Sequence, residues 1–454
     1  MRDLLVFGFV VLLLPTCFRR PFIGLLLFSW LAYMRPQNLC WGFARNMRFS
    51  FYVAITMFVG WYVYESHKRR FFTREIRSYL LVALGTIITI GLLLADEWGP
   101  LTARYFVEFI KIILIALFTL SQIDSKQRLR AILWVICGSL AFYSIKNGLM
   151  GFVSGGATIL RGPGGMLEDN NDFALALAMN IPLLFYLSGV EKNPWVRKFC
   201  LAGVFLTAVT ILLTHSRGGF LSMCASISVI CWRSGKLFHV FLFLLVALLG
   251  FVLFAPEHVQ ERVMSITASS EEDSSIRSRL DSWGVALRMW QAHPVFGVGL
   301  RNYIANALEF GETVGYRGVV HVAHNSYLQI AAEGGTLSIF LYLMLLLSVF
   351  VSCGWMRRVA RVRPDLYWVG RYGRMYEAVN VCFMVGSMFL NRGHFDLVYH
   401  FVSLVGATVL IVKRELANPP PEMSVEYMDS PLTGQITVGR KSPVPEASMP
   451  TWGR

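Results

Sequence analysis

Thirteen apolar segments divide this chain, and basic residues gather in every second interval between them. The segments lie near 4–16, 22–34, 49–65, 78–95, 104–121, 130–148, 172–189, 199–214, 218–232, 237–255, 327–353, 376–391 and 397–412. Apolar runs approaching about 20 residues read as membrane-crossing helices. The first two runs are short enough to form a hairpin or to tilt against partners, so the expected count is twelve or thirteen. Charged residues make up only 15% of the 454 positions, against about 25% in soluble domains. The fold class is therefore an all-α integral membrane protein, a bundle of about 12–13 transmembrane helices. One long polar stretch, 256–326, interrupts it as a partly helical outer loop.

The net charge of +14 is distributed as a membrane protein distributes it. Lys68, Arg69, Arg70, Arg74 and Arg77 form one cluster, and Lys126, Arg128 and Arg130 the next. Lys192, Arg197 and Lys198 follow, then Arg233 and Lys236, and finally a group from Arg357 to Arg374. Short loops rich in lysine and arginine stay cytoplasmic. The intervals 96–103, 149–171, 215–218, 256–326 and 392–396 then face outward. This pattern argues against a nucleic-acid partner. The eight cysteines fall mostly within apolar runs without paired spacing, which indicates neither a disulfide framework nor a zinc site. The first residues resemble a signal peptide, but Arg19-Arg20 follows with no small-residue cleavage site, so the segment is read as retained. Three regions are expected: an N-terminal membrane region 1–148, a catalytic region 149–413, and a disordered cytoplasmic tail 414–454 that includes Pro419-Pro420-Pro421.

The residues suited to chemistry lie on the outward set. Arg217 is the one formal charge between Lys198 and Arg233, in the turn His215-Ser216-Arg217-Gly218-Gly219. The glycines permit a tight reversal there. An arginine at that depth needs a partner: an anion, a lipid head group, Asp172 or Glu333. In the long loop, Ile276, Leu280, Trp283, Leu287 and Trp290 recur at helical spacing, giving one apolar face. Arg279 falls on the edge of that face, placed either to bind phosphate or to stack on tryptophan, while Arg277 and Arg288 point away. His293-Pro294 should end this helix before the turn Gly297-Val298-Gly299. The loop closes with Tyr316-Arg317-Gly318, His321 and the run His324-Asn325-Ser326-Tyr327-Leu328. A titratable imidazole where a loop re-enters the membrane suits proton transfer, and His321 is the rival to His324. Asn325-Ser326 should cap the helix that follows. Glu333, two turns in, serves either function or packing. Glu168-Asp169-Asn170-Asn171-Asp172 offers oxygen ligands, but in an adjacency better suited to capping a helix.

With these residues placed, the chain resembles the O-antigen ligase and O-antigen polymerase superfamily of bacterial membrane glycosyltransferases. The resemblance rests on Ser216-Arg217-Gly218-Gly219, on Arg279-Leu280-Asp281-Ser282-Trp283 leading to His293-Pro294-Val295-Phe296-Gly297-Val298-Gly299, and on His324-Asn325-Ser326-Tyr327-Leu328 before Glu333-Gly334-Gly335. Met1-Arg2-Asp3-Leu4, Arg20-Pro21-Phe22, Trp41-Gly42-Phe43-Ala44 and the 168–172 run look like the O-glycosylation ligases associated with exosortase systems. The resemblance implies inverting transfer of a glycan from undecaprenyl diphosphate to an acceptor hydroxyl. It places this on the periplasmic face of the inner membrane, with no cofactor and no metal. It implies catalytic roles for His324, Arg217 and Arg279. Arg217 and Arg279, with Asn325, Tyr327, His321 and Arg161, are the candidate contacts to the diphosphate or glycan. The expected partners are the lipid-linked glycan, a glycan, lipid or protein acceptor, and membrane lipids. A polysaccharide polymerase, a flippase or transporter of lipid-linked glycan, and a non-catalytic partner in polysaccharide export are the alternatives.

Overall fold

A computed structural model describes residues 1–95, 98–154, 156, 158–235, 270–312 and 322–417. The apolar segment 237–255, His321, Tyr316-Arg317-Gly318 and the tail beyond Ala417 lie outside the described residues. The described helices are α1 (Arg2–Arg19), α2 (Pro21–Tyr33), α3 (Phe49–Tyr64), α4 (Ile76–Leu93), α5 (Thr102–Gln122) and α6 (Lys126–Val153). After a small hairpin come α7 (Asn170–Ser188), α8 (Pro194–Leu213), α9 (Arg217–Arg233), α10 (Ser270–Ala292), α11 (Tyr303–Glu312), α12 (Ser326–Val362), α13 (Tyr367–Gly386) and α14 (Asp396–Ala417). The contacts divide the chain into Met1–Val412 and Lys413–Arg454.

Every apolar segment that falls on described residues is a helix. α4, α6, α7, α8, α12 and α14 are long and apolar enough to cross a membrane, and α2 and α3 are shorter apolar helices. This is an all-α integral membrane protein. Arg20 alone separates α1 from α2, so the two short N-terminal runs form a hairpin. Polar caps start several helices: the Asp169, Asn193 and Ser216 side chains accept backbone N–H bonds from Asn171, Trp195 and Gly219, each worth roughly 1 kcal/mol. The N-terminal motifs meet each other. Asp3 accepts the N–H groups of Gly42 and Ala44 at 2.9 and 3.1 Å, and Arg2 stacks on Trp41. The basic clusters are tied down by carboxylates: Arg233 and Arg357 both bind Glu377, Arg130 binds Glu191, and Arg69 binds Asp124.

Four local features depart from the sequence reading. The α8–α9 reversal falls on His215, at φ 52°, and not on the glycines. Gly218 and Gly219 lie inside α9, where a Cβ on Gly219 would collide with that of Ala174 on α7. The glycines serve close helix packing. Second, α10 buries Ser282, Val285, Ala286 and Met289, while Leu280 and Leu287 are 55% and 40% exposed. The buried face is rotated by roughly 120° from the expected one, because α11 and the loop before α12 supply its partners. Tyr303 and Ala307 of α11 and Ala323 pack there. Third, residues Arg161–Gly164 and Leu167–Asp169 form an antiparallel hairpin, β1 and β2, turning at Gly165-Met166.

The fourth is a break in α12 at Gly335, whose φ of 72° is non-helical. The segment after α10 seats into this break through backbone bonds. Val298 and Gly299 donate to the carbonyls of Ala332 and Glu333 at 2.9 and 3.0 Å, and Thr336 donates to Pro294 at 2.7 Å. The Glu333 side chain takes the Gln329 amide and the backbone N–H groups of Arg301 and Tyr303 at the start of α11. Glu333 therefore caps and packs.

In the segment between α13 and α14, His394 lies against Phe109 with ring centroids 4.7 Å apart. Burial, and then the charge of Arg301, lower its pKa to about 3. An unfolded histidine takes up its proton near pH 6.5, so below that value only the unfolded state gains the proton. Stability should fall as pH drops from about 6.5 toward 3, by at most roughly 1.4 kcal/mol per pH unit. His394→Phe is expected to flatten this slope, which thermal unfolding of both proteins at neutral and acidic pH will measure.

Candidate active site

The turn between α8 and α9, the polar start of α7, one turn of α10, the residue preceding the cap of α12 and the segment after α13 converge on one cavity of about 280 Å³. Its lining residues are Asn171, His215, Arg217, Gly218, Arg279, His324, Phe389 and Leu390. The three residues named from sequence as catalytic thus meet at one place, although 107 positions separate the first from the last in the chain.

Each is positioned by a specific local device. Arg217 is the first residue of α9, directly after the cap Ser216. The Ser216 hydroxyl also donates to Asn171 Oδ1 at 2.7 Å, and the Asn170 amide donates to the Thr214 carbonyl at 3.0 Å. These bonds lock the arginine-bearing turn to the start of α7. At about 100° per residue, Arg279 lies roughly 70° from the centre of the buried face of α10 and Arg288 roughly 110°. Arg279 reaches the cavity, while Arg288 Nε folds back on the Gly284 carbonyl at 3.3 Å. His324 has a φ of 47°, as His215 has 52°, so both imidazoles project from left-handed backbone. Such a conformation costs a non-glycine residue about 1–2 kcal/mol and concentrates at functional sites. The neighbouring Ala323 carbonyl accepts the Trp283 indole N–H at 2.9 Å. The Ser326 hydroxyl donates to Leu390 and accepts from the Arg392 N–H, and Arg392 grips Asp172 through both carboxylate oxygens.

The electrostatics favour an anion. Two arginines and the N-terminus of α9, which carries a partial positive charge, border the cavity, and among the described residues no carboxylate lines it. The acidic run beside it is otherwise engaged: Asp169 caps α7 and Asp172 is held by Arg392. Among the described residues no three His, Cys, Asp or Glu side chains form a group that could hold a metal ion.

The remaining sequence candidates stand elsewhere. Asn325 caps α12 with bonds to the Tyr327 and Leu328 N–H groups, as its position suggested. The Tyr327 hydroxyl donates to the Met384 carbonyl and accepts from Ser387. Arg161 is exposed at the start of β1. None of these three lines the cavity. His215, Asn171, Phe389 and Leu390 line it and were not singled out. His215 was the one most open to discovery, since a histidine two residues before Arg217 in a forced reversal must share its surroundings. Its Nε2 lies 3.2 Å from the Thr158 hydroxyl.

Residues 202–343 match the family model described as O-antigen ligase, and residues 1–192 match a family of unknown function, DUF5935. No curated protein matches the chain. His215, Arg217, Arg279 and His324 all lie within the O-antigen ligase stretch, and Asn171 within the other. O-antigen ligases are membrane enzymes that transfer glycans from a lipid-linked substrate. Over residues 202–343 the chain is thus similar to the O-antigen ligases, and its six helices long and apolar enough to cross a membrane fit a multi-pass membrane protein.

Proposed function

We propose that the protein transfers a glycan from undecaprenyl diphosphate to an acceptor hydroxyl, with inversion and without a metal, on the periplasmic side of the bacterial inner membrane. The observation that carries this reading is the convergence of Arg217, Arg279 and His324 on one cavity that no carboxylate lines among the described residues. The diphosphate lies against Arg217, the N-terminus of α9 and Arg279. As the bond from the anomeric carbon to the diphosphate oxygen breaks, its electron pair passes to that oxygen. The two guanidinium groups stabilise the growing charge, as phosphate clamps do in general. His324 accepts the proton of the acceptor hydroxyl while the hydroxyl oxygen forms the new bond to carbon. With the leaving charge neutralised by arginine, a metal is dispensable.

The test is transfer in reconstituted vesicles, from an undecaprenyl-diphosphate glycan to a panel of acceptors, with and without chelator. Chelator-resistant product supports the reading, and the product's size ladder separates ligation from polymerisation. Glycan crossing the bilayer without product would replace it with transport. Arg279→Ala is expected to lower the rate about 10²-fold, the usual loss for one charge-stabilising donor, while Arg288→Ala stays within about threefold. Equal losses would show that the orientation of α10 does not matter. Arg217→Lys keeps the charge but loses the planar fork, so a loss of about ten-fold or more is expected in the same assay.

A further inference from the structure

A second and larger cavity lies among α2, α3, α5 and the start of α14, with a volume of about 1150 Å³. Ordinary ligand pockets occupy roughly 300–1,000 Å³. Apart from Asp396 and His400, its lining residues all belong to the stretch 1–192 that matches a family of unknown function. It shares no residue with the cavity of the proposed transfer.

Its two ends differ in chemistry. One end gathers Arg35, Gln37, Arg48, Arg104 and Asp396 at the ends of their helices. The body is apolar, with Ala54, Ile55 and Phe58 on α3 facing Ile112 and Ile115 on α5. Along α5, Arg104 and Ile115 stand about 17 Å apart at 1.5 Å per residue. Glu108 and Lys111, between them, pair with each other at 3.1 Å. Arg35 interacts with Asp396 and Glu168, Arg48 and Arg104 line the cavity as well, and the end remains cationic. Among the described residues, three buried polar atoms of the lining have no hydrogen-bond partner: Arg35 Nε, Gln37 Oε1 and His400 Nε2. Gln37 and His400 are 6% and 4% exposed, and the other ring nitrogen of His400 is engaged by the Tyr33 hydroxyl at 3.0 Å. Buried polar groups are normally satisfied, so donors and an acceptor left open around one cavity call for a polar ligand group there.

We propose that this cavity binds a lipid whose head group carries a phosphate and a hydroxyl. The phosphate lies among Arg35, Arg48, Arg104 and His400, the hydroxyl donates to Gln37, and a hydrocarbon chain runs down the channel between α3 and α5. The proposal stands independently of the transfer reaction.

The probe is phosphatidylglycerol, added to the full-length protein in detergent and read by native mass spectrometry as retained lipid. Wild type is expected to hold one tightly bound molecule. The Arg48→Gln, Arg104→Gln double variant removes two exposed head-group contacts, and Ala54→Phe fills the channel. Each is expected to weaken retention about ten-fold or more, while Arg217→Ala leaves it unchanged. Neither diacylglycerol, which has the chains alone, nor glycerol phosphate, which has the head alone, should displace the bound lipid at equal concentration. Unchanged retention in the double variant would overturn the proposal, as would loss on Arg217→Ala, which would put the lipid in the other cavity. Displacement by either partial probe would overturn it too. Should Ala54→Phe fail to fold, the arginine pair, exposed and outside the packed core, decides alone.

Discussion

Replacing His324 by alanine is expected to slow glycan transfer by about 10²–10⁴-fold, the usual consequence of removing a general base, while the protein still inserts and folds. Folding should survive because other groups tie the neighbouring structure together. Asn325 caps α12, and the Ser326 hydroxyl ties it to Leu390 and Arg392. The backbone at His324 is left-handed, with a φ of 47°, so alanine adds a conformational cost of about 1–2 kcal/mol that is unrelated to chemistry. His324→Asn removes the base but tolerates that conformation, and it separates the two effects. Both variants should lose transfer, and the asparagine variant should melt close to wild type. Near-normal rates in both would move the base to His215, the other imidazole on the cavity wall.

Gly335→Ala is expected to be the most disruptive single methyl group that can be added near the site. The φ of 72° already disfavours any side chain, and a Cβ would collide with the carbonyl group of Val295 and approach the Phe296 nitrogen. Those are backbone atoms of a segment bonded on both sides to α12, so they cannot step aside without breaking the bonds from Val298, Gly299 and Thr336. A loss of about 3 kcal/mol or more follows from left-handed strain together with backbone overlap. Gly8→Ala is the matched control, since nothing lies within 4 Å of a Cβ there. Thermal melting in detergent compares them, and equal midpoints would show that the break in α12 relaxes freely.

What the sequence made legible was what is repeated along the chain. Apolar runs located the membrane helices, and Asn325 announced its own capping role. Arg217 could be named because charge is rare between the apolar runs around it, Arg279 because it stands at the edge of an apolar helix face, and His324 because an imidazole closes the polar stretch where the next span begins. What stayed hidden depends on contacts between distant segments. The apolar periodicity of α10 pointed to Leu280 and Leu287, but the partners offered by α11 and Ala323 fit the smaller face of Val285, Ala286 and Met289. The reversal at His215 was assigned to Gly218 and Gly219 because glycine is the cheaper residue for it, yet those glycines are needed where α7 and α9 touch. Glu333 read as either a reactive or a packing carboxylate. The packing role shows only in its bonds to the backbone N–H groups of Arg301 and Tyr303, 32 and 30 positions away.

The segment after α10 is tied to the break in α12 by three main-chain bonds, and the Trp283 indole holds the carbonyl next to His324. Arg279 lies one helical turn before Trp283. The spacing between the arginine and the histidine is therefore gauged in part by peptide groups, whose dimensions do not vary with sequence. In the proposed reaction such a jaw would measure the part of a substrate common to all donors, the diphosphate and the first reacting carbon, and leave the sugars beyond it unmeasured. Tolerance toward diverse glycans would then need no adaptation at the reacting centre. Selectivity among them would be free to change in the surrounding segments without retuning the chemistry.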